Sequence, residues 1–475
     1  MIRSILNRYK NADVVFKASI WFVLVTVVDS AISVITQPFV NRILTEEQVG
    51  IYNIYNTWIS VFRVIITLNL FCGVYDVLLV ENKDDQNSVQ SSLFVLSSII
   101  TAAFFVIVLL ALKPVSFLLG LKPIYMIVMF ISIFSEMVMQ FYIVPLRINY
   151  KYIQYAIYVM GAFFVKSILT VLLAYYIKSD RVLGRILGFA LPMLILAVVF
   201  IILMVREKSN KGVTKYWKQS LKFNLPLIPH YLSTIILASS DKVMLQHLSS
   251  EYYVGIYSVV YAFSSLSLII FTAINNSYTP WAYEALREKN YPALRKRTNL
   301  IIFVSVLFCL MLMLFAPEGV YILGGKSYLK ALPIVPILIC GIFFSSFYFI
   351  FSNVEFINKR TKIVFPITLL GSAVNIGLNW LLIPKYGYFA AAYTTLIGYV
   401  IIAVCHYFYS RHILKDRAFD MRTLLMIILL LAAGTVASII LYNSVFWMRY
   451  LMILVFGVLF VILFKKTLKT KKAKS

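Results

Sequence analysis

Asn53, Asn56, Ser60, Arg63 and Thr67 follow one another at spacings of three and four. On a helix that spacing puts all five on one face, a polar stripe with a cation in it. Arg63 stands thirteen residues from both Gly50 and Asp76, about 20 Å from each at the helical rise. A charge that deep costs about 2.5–3.5 kcal/mol to insert in a bilayer and normally faces a cavity or a partner. A polar seam between helices is the rival reading of such a stripe, and Asn and Ser alone would favour it; the arginine tips the balance. Thr26, Asp29, Ser33, Thr36 and Gln37 make a similar face. Lys166, with Thr170 one turn on, and Glu136 complete four charges at mid-depth: Asp29, Arg63, Glu136 and Lys166. Asp29 and Glu136 can neutralise the two cations or carry a coupling H+ or Na+. Cations in a wet, low-dielectric site suit phosphate or carboxylate.

The elements that must hold these residues are membrane spans. The 475 residues are 61% hydrophobic and 13% charged, and the mean hydropathy is +0.87, whereas soluble domains are about half apolar and a quarter charged. A helical span needs about 20 mostly apolar residues. Fourteen such stretches occur, roughly 14–40, 50–75, 90–112, 123–144, 154–177, 183–205, 222–245, 254–280, 299–317, 331–356, 363–384, 388–410, 423–442 and 446–464. The N-terminal apolar segment is too long for a signal peptide and lacks a small-residue cleavage site.

Charge placement explains the 44 basic against 19 acidic residues. Of the Lys and Arg, thirty lie in one alternate set of loops, ten in the other and four inside the spans: Lys17, Arg63, Lys166 and Lys242. By the positive-inside rule both termini are cytoplasmic, and the basic excess needs no nucleic-acid partner. The tail "KKTLKTKKAK" reads as an anchor near anionic lipid.

The chain repeats itself. "TEEQVGIYNIY" at 45–55 returns 205 positions later as "SSEYYVGIYSVVY", which aligns "VGIY" at Val49 with Val254. In each copy a hydroxyl residue and a glutamate precede the opening of a helix, and the glycine suits a tight approach. Six spans per copy make the repeats parallel, as in one class of transporter. The expectation is an all-α polytopic membrane protein of about 14 transmembrane helices: two parallel six-helix lobes (1–205 and 223–411), a basic cytoplasmic linker (206–222), and two extra helices with a basic tail (412–475). At the 205 offset the four mid-depth charges face Thr234, Leu268, Gly341 and Gly371, all uncharged. The second half keeps neutral stripes: Ser258, Ser265, Thr272 and Asn276, then Thr368, Ser372, Asn375 and Asn379. The picture is a central water-filled cavity, ionic on one wall and neutral-polar on the other, where hydroxyls and amides suit a glycan. Pro226 and Pro229 must break or kink the seventh span.

Several functions are disfavoured. "GGK" at Gly324–Lys326 is too short for a phosphate-binding loop and lacks its hydroxyl. His230, His247, His406 and His412 share no metal-ligand spacing. Cys72, Cys309, Cys340 and Cys405 are scattered and imply neither disulfide nor zinc. No loop is long enough to house an enzyme, and a transport-free scaffold would leave the buried charges without purpose.

"SLKFNLPLIPHYLSTIILASSDKVML", "VGIYS", "AINNSYTPW" and "LIPKYGYFAAAYTTLIGY", on a 6+6+2 plan, resemble the Wzx-type lipid-linked oligosaccharide flippases of the multidrug/oligosaccharidyl-lipid/polysaccharide exporter superfamily. The resemblance covers essentially the whole chain. It implies no enzyme activity and no cofactor. Its substrate would be an undecaprenyl-pyrophosphate-linked repeat unit, moved across the bacterial cytoplasmic membrane by alternating access for capsule, O-antigen or similar polysaccharide. Membrane lipids, a polysaccharide polymerase and other assembly proteins would be its partners. The lumen cations for the pyrophosphate would be Arg63 and Lys166, with Lys17 near the inner mouth. Asn53, Asn56, Ser60, Thr67, Thr170, Ser258, Ser265, Thr272, Asn276, Asn375 and Asn379 would line the glycan's path. Asp241 and Lys242 match the family's acidic–basic pair; adjacent residues diverge by about 100° on a helix, so they need not both face the lumen. Two neighbours remain open. A peptidoglycan-precursor or teichoic-type flippase differs in the glycan. A cation-coupled drug antiporter prefers acids without central cations.

Overall fold

The computed structural model describes residues 13–206, 213–358, 360–414, 421–442 and 446–469. The side chains of Asn276 and His230, residues 207–212 of the linker, and the tail beyond Lys469 lie outside the described residues. The fold is all-helical, with no strand among the described residues. Among the described residues nineteen α-helices follow in order: α1 Val14–Ile43, α2 Glu46–Thr67, α3 Val74–Glu81, α4 Gln86–Leu110, α5 Leu112–Leu119, α6 Pro123–Ile148, α7 Tyr152–Tyr176, α8 Arg181–Arg206, α9 Trp217–Asn224, α10 Ile228–Leu248, α11 Glu251–Ser264, α12 Leu266–Arg287, α13 Tyr291–Leu314, α14 Ala316–Gly324, α15 Val335–Ile357, α16 Val364–Tyr386, α17 Tyr388–Leu414, α18 Met421–Leu441 and α19 Phe446–Lys469. They form two compact units, Met1–Ile235 and Ile236–Ser475, divided inside α10.

Among the described residues, twelve helical segments are long and apolar enough to cross a bilayer, so this is a multi-pass membrane protein. The two expected spans that miss that threshold are the second and the seventh, and they are the most polar. The second carries the Arg63 stripe. The seventh carries Ser233, Thr234, Ser239, Ser240, Asp241 and Lys242.

The repeated "VGIY" signal marks the same local structure twice. Thr45 caps α2, its Oγ1 accepting from Gln48 N while Gln48 Oε1 accepts from Thr45 N, a reciprocal capping box. At the 205 offset Ser250 caps α11, its Oγ accepting from Tyr253 N. The hydroxyl shared by the two copies is thus a helix cap.

Several expected spans are interrupted. The second breaks between α2 and α3, where Leu68 (φ 50°) and Asn69 (φ 49°) adopt left-handed backbone and Gly73 (φ 68°) reverses into α3. Inside a membrane such a break must find internal hydrogen bonds. Asn224 at the end of α9 donates to both Leu68 O and Asn69 O at 2.9 Å. Ser97 of α4 reaches Thr67 O at 3.4 Å, and Asp76 accepts from Gly73 N at 3.3 Å. The seventh is broken by a 3₁₀ turn at Leu225–Leu227, where Pro226 lacks the donor a helix needs. The eighth is cut at Ser265, between α11 and α12.

In the first unit, a polar staple sets α6 against α8. Asp180, in the turn before α8, is bonded by Lys122 Nζ at 2.7 Å, Tyr125 OH at 2.7 Å and Leu183 N at 3.0 Å. Burial works against ionisation of Asp180, but these donors outweigh it and hold the carboxyl below its usual range.

Candidate functional site

In the first unit the four mid-depth charges assemble as two ion pairs. Arg63 on α2 meets Glu136 on α6, Nη1 to Oε1 at 2.7 Å. Lys166 on α7 stands 3.8 Å from Asp29 on α1. The two pairs are not sealed: side-chain exposures are 37% and 26% for Arg63 and Glu136, and 18% and 35% for Lys166 and Asp29. Glu136 is also close enough for its field to act on Lys166, so the pairs form one electrostatic cluster. Its formal charge is zero, which is what allows four ions at mid-span.

Each cation keeps unused capacity. Arg63 spends one nitrogen on Glu136, and its buried Nε has no hydrogen-bond partner. A guanidinium offers five donors in a planar fork. Lys166 Nζ sits 3.8 Å from the Phe163 ring centroid and 5.4 Å from that of Phe189. Aromatic faces attract a cation without consuming its donors. At 3.8 Å, Asp29 Oδ1 attracts Lys166 without hydrogen-bonding it, and that oxygen has no hydrogen-bond partner.

The stripe around Arg63 is largely turned on its own helix. Asn53 donates to Val49 O, Ser60 to Asn56 O and Thr67 to Arg63 O, each four residues back. Asn53, Asn56 and Ser60 are half-buried and Thr67 is buried. Thr170 is also buried, against the backbone of α8. Lys17 is half-buried near the start of α1. It lies twelve residues before Asp29, about 18 Å along the helix, so the structure does not bring it to the charge cluster.

In the second unit the polar residues gather around Asp241 of α10, which is 2% exposed. Its carboxylate accepts from Tyr257 OH and, at 2.9 Å, from Lys242 N; Thr395 is bonded to it as well. Ser240 Oγ donates to Asn375 Oδ1 at 3.1 Å, Asn379 Nδ2 donates to the same oxygen at 3.3 Å, and Thr394 closes on Asn379 Oδ1. Asn375 and Asn379 are 1% and 0% exposed. They belong to this buried network of α10, α16 and α17 and present no open surface. Lys242 Nζ lies over the Tyr261 ring at 5.1 Å. Ser258 is buried with an unpartnered hydroxyl, Ser265 bonds back to Ala262 O, and Thr272 is exposed. The described residues hold no group of three His, Cys, Asp or Glu that could bind a metal.

Spacing alone missed Tyr257 and Thr395, which bond Asp241, and Thr394, which closes on Asn379. The signal was present in "VGIYS" and "YTTLIGY", whose residues repeat or cluster without a helical period. Tyr52, the first-unit equivalent of Tyr257 at the 205 offset, does something else: its ring is covered by the Arg185 guanidinium at 3.5 Å. Duplicated positions have therefore taken different electrostatic partners.

Comparison with known proteins agrees with this architecture. The model of the family described as "Polysaccharide biosynthesis protein" matches residues 15–286, and the MatE model matches 226–381. Lsg locus putative protein 1 of Haemophilus influenzae is 24% identical over 320 residues, 66% of this chain and 77% of that protein. Capsular polysaccharide biosynthesis protein CapF of Staphylococcus aureus is 23% identical over 263 residues, 52% of this chain and 65% of its own length. The inward closed lipid II flippase MurJ superposes with a TM-score of 0.61 at 16% identity, covering 95% of this chain and 99% of that one. An inward-facing multidrug resistance MATE transporter of the MOP superfamily gives 0.61 at 15% identity, covering 82% and 94%. With more than half of its residues matched by one family model and the fold shared with MOP-superfamily transporters, the chain belongs to the polysaccharide biosynthesis protein family.

Proposed function

We propose that this protein is a flippase that moves undecaprenyl-pyrophosphate-linked oligosaccharide repeat units from the inner to the outer leaflet of a bacterial cytoplasmic membrane, by alternating access. The observation that carries this reading is the half-exposed, charge-neutral cluster of Arg63, Glu136, Lys166 and Asp29. A pyrophosphate arriving there would find an arginine fork with unused donors and an ammonium that no acceptor holds at hydrogen-bond distance. The anion would compete with Glu136 for Arg63 and with Asp29 for Lys166, and its departure would restore both pairs. Binding and release would then need only an exchange of partners. A cation-coupled drug exporter is the weaker reading, because each acid in the cluster already has a cation of its own. The name of one relative, a capsular polysaccharide biosynthesis protein, and family membership favour polysaccharide over drug. Asp29 and Glu136, or Asp241 in the second unit, are the groups that would carry a coupling H+ or Na+.

Depletion of the protein tests the cargo. A lipid-pyrophosphate-linked repeat unit should accumulate in the inner leaflet, and its sugars would identify the pathway; unchanged lipid-linked intermediates would overturn the assignment. Asp29→Asn and Glu136→Gln should each lower export by about tenfold, because each strands a cation that would otherwise be neutralised. Normal export by both, with the same dependence on ion gradients, would remove the acids from the mechanism. The orientation has its own check. Cysteines placed singly at Ser209 and Ser250 should label from opposite sides of the membrane, Ser250 from outside.

A further inference from the structure

The charge cluster and the Asp241 network leave a fully buried ionisable pair unused. Glu355 on α15 and His406 on α17 are each 0% exposed, and His406 Nδ1 lies 2.7 Å from Glu355 Oε1. Their second polar atoms, Glu355 Oε2 and His406 Nε2, are buried with no hydrogen-bond partner. The contrast with Asp241 is chemical: that carboxylate takes donors from Tyr257, Lys242 N and Thr395, whereas among the described residues Glu355 has one side-chain partner, and that partner is itself titratable.

Proton count decides the charge of such a pair. A carboxylate with a neutral imidazole carries −1. One added proton makes it neutral, whether written as carboxylic acid with imidazole or carboxylate with imidazolium. A second makes it +1. A net charge at a fully buried, otherwise unpartnered position is strongly disfavoured, so the one-proton state fits this site best.

Among the described residues, which leave out Lys359, no ion is hydrogen-bonded to the free atoms of the pair. Tyr348, from α15 itself, lies edge-on to the His406 ring at 5.3 Å. Arg411, further along α17, donates to Tyr407 OH at 3.4 Å. Arg360, just beyond α15, is exposed and reaches Glu355 only through its backbone, N to O at 2.7 Å. On the other elements packed around α15 and α17, the charged groups at this end are Glu284 and Arg287 of α12, Arg295, Lys296 and Arg297 of α13, Lys362 before α16 and Arg422 of α18. None of them reaches Glu355 Oε2 or His406 Nε2 with a hydrogen bond.

We propose that Glu355 and His406 form a proton-binding site of the second unit: the buried pair holds one shared proton and gives it to water only when α15 and α17 part enough to hydrate it. The site is separate from the groups assigned to the cargo, and its test needs no cargo.

The chain has four histidines, so ring signals of the ¹⁵N-histidine-labelled full-length protein in lipid nanodiscs can be assigned one by one with single His→Asn variants. The expected result has two parts. In the native protein the ring proton shared by His406 and Glu355 exchanges slowly with water, while the ring protons of exposed His412 exchange fast. In Glu355→Gln the slowly exchanging His406 ring signal is lost. Glu355→Asp, which keeps the carboxyl on a shorter arm, covers the case in which Glu355→Gln does not fold, and it too should speed the exchange. A native His406 ring proton that exchanges as fast as those of His412, or a His406 signal indifferent to the Glu355 variants, would overturn the proposal. Either outcome leaves the export reading untouched.

Discussion

Arg63→Ala is expected to lower polysaccharide export by about 100-fold while the protein remains inserted in the membrane. Truncating one member of a fully buried, hydrogen-bonded charge pair costs about 2–5 kcal/mol; this pair is partly exposed, so the lower part of that range applies, and about 2.8 kcal/mol corresponds to 100-fold. The loss has two sources: the guanidinium no longer meets the pyrophosphate, and Glu136 is stranded at mid-span without its 2.7 Å partner. Two further variants separate them. Arg63→Lys keeps the charge without the planar fork and should retain part of the activity. The double variant Arg63→Gln with Glu136→Gln removes both charges together, so it relieves the stranded carboxylate but not the missing ligand. Export by the double variant should stay as low as that of Arg63→Ala; export near normal would make the pair a structural tie and end the substrate-site assignment. Arg63→Gln with Asp29→Asn should give no rescue, since Asp29 stands beside Lys166. Leu268→Ala, at the equivalent position of the second unit, should be much milder.

The spans and the duplicated cap could be read from the sequence because hydropathy and capping are local. The same is true of the four mid-depth charges, which stand out against apolar surroundings. Their pairing could not be read. Arg63 and Glu136 are 73 residues apart, and spacing offers Asp29 as an equally good partner. The break at 68–73 was hidden because "LNLFCG" is apolar, and its hydrogen bonds come from Asn224, more than 150 positions away. Asn375 and Asn379 show the limit of periodicity. A spacing of four puts them on one face, but a polar face is equally able to line water or to form a buried seam, and here Thr394 and Ser240 make it a seam. The pairing of Glu355 with His406 was hidden for a related reason. Each lies toward the end of a long apolar run, where exposure of a charged residue is the ordinary expectation, and only the packing of α15 on α17 takes them out of water.

The other large effect is steric. In Gly188→Ala, membrane abundance and thermal stability should both fall sharply, and in Gly188→Val folded protein should be nearly lost. A Cβ at Gly188 would meet the Thr170 backbone N at 2.5 Å and Leu169 O at 2.6 Å, with Thr170 Cα nearer still. One turn earlier, a Cβ at Gly184 would meet the Leu173 carbonyl carbon at 2.8 Å. Small residues four apart let α7 and α8 approach backbone to backbone, the arrangement that holds membrane helices together where no hydrophobic drive exists. Backbone atoms cannot rotate aside as a side chain can, and carbon atoms need about 3.5–4.0 Å, so the helices must separate by about 1 Å. Ala gains about 0.5–1 kcal/mol over Gly in a helix interior, whereas overpacking costs about 1–3 kcal/mol and more against main chain; the clash wins. The displacement also reaches the charge cluster. Lys166 lies one turn from Thr170, and Phe189, next to Gly188, forms part of its aromatic surround at 5.4 Å. Gly161→Ala, on α7 with open space where its Cβ would go, is the matched control and should be neutral or slightly stabilising. Equal melting temperatures for Gly188→Ala and Gly161→Ala in the same detergent would show that α7 and α8 do not depend on this approach. A normal melting temperature with impaired export would instead place the effect at Lys166.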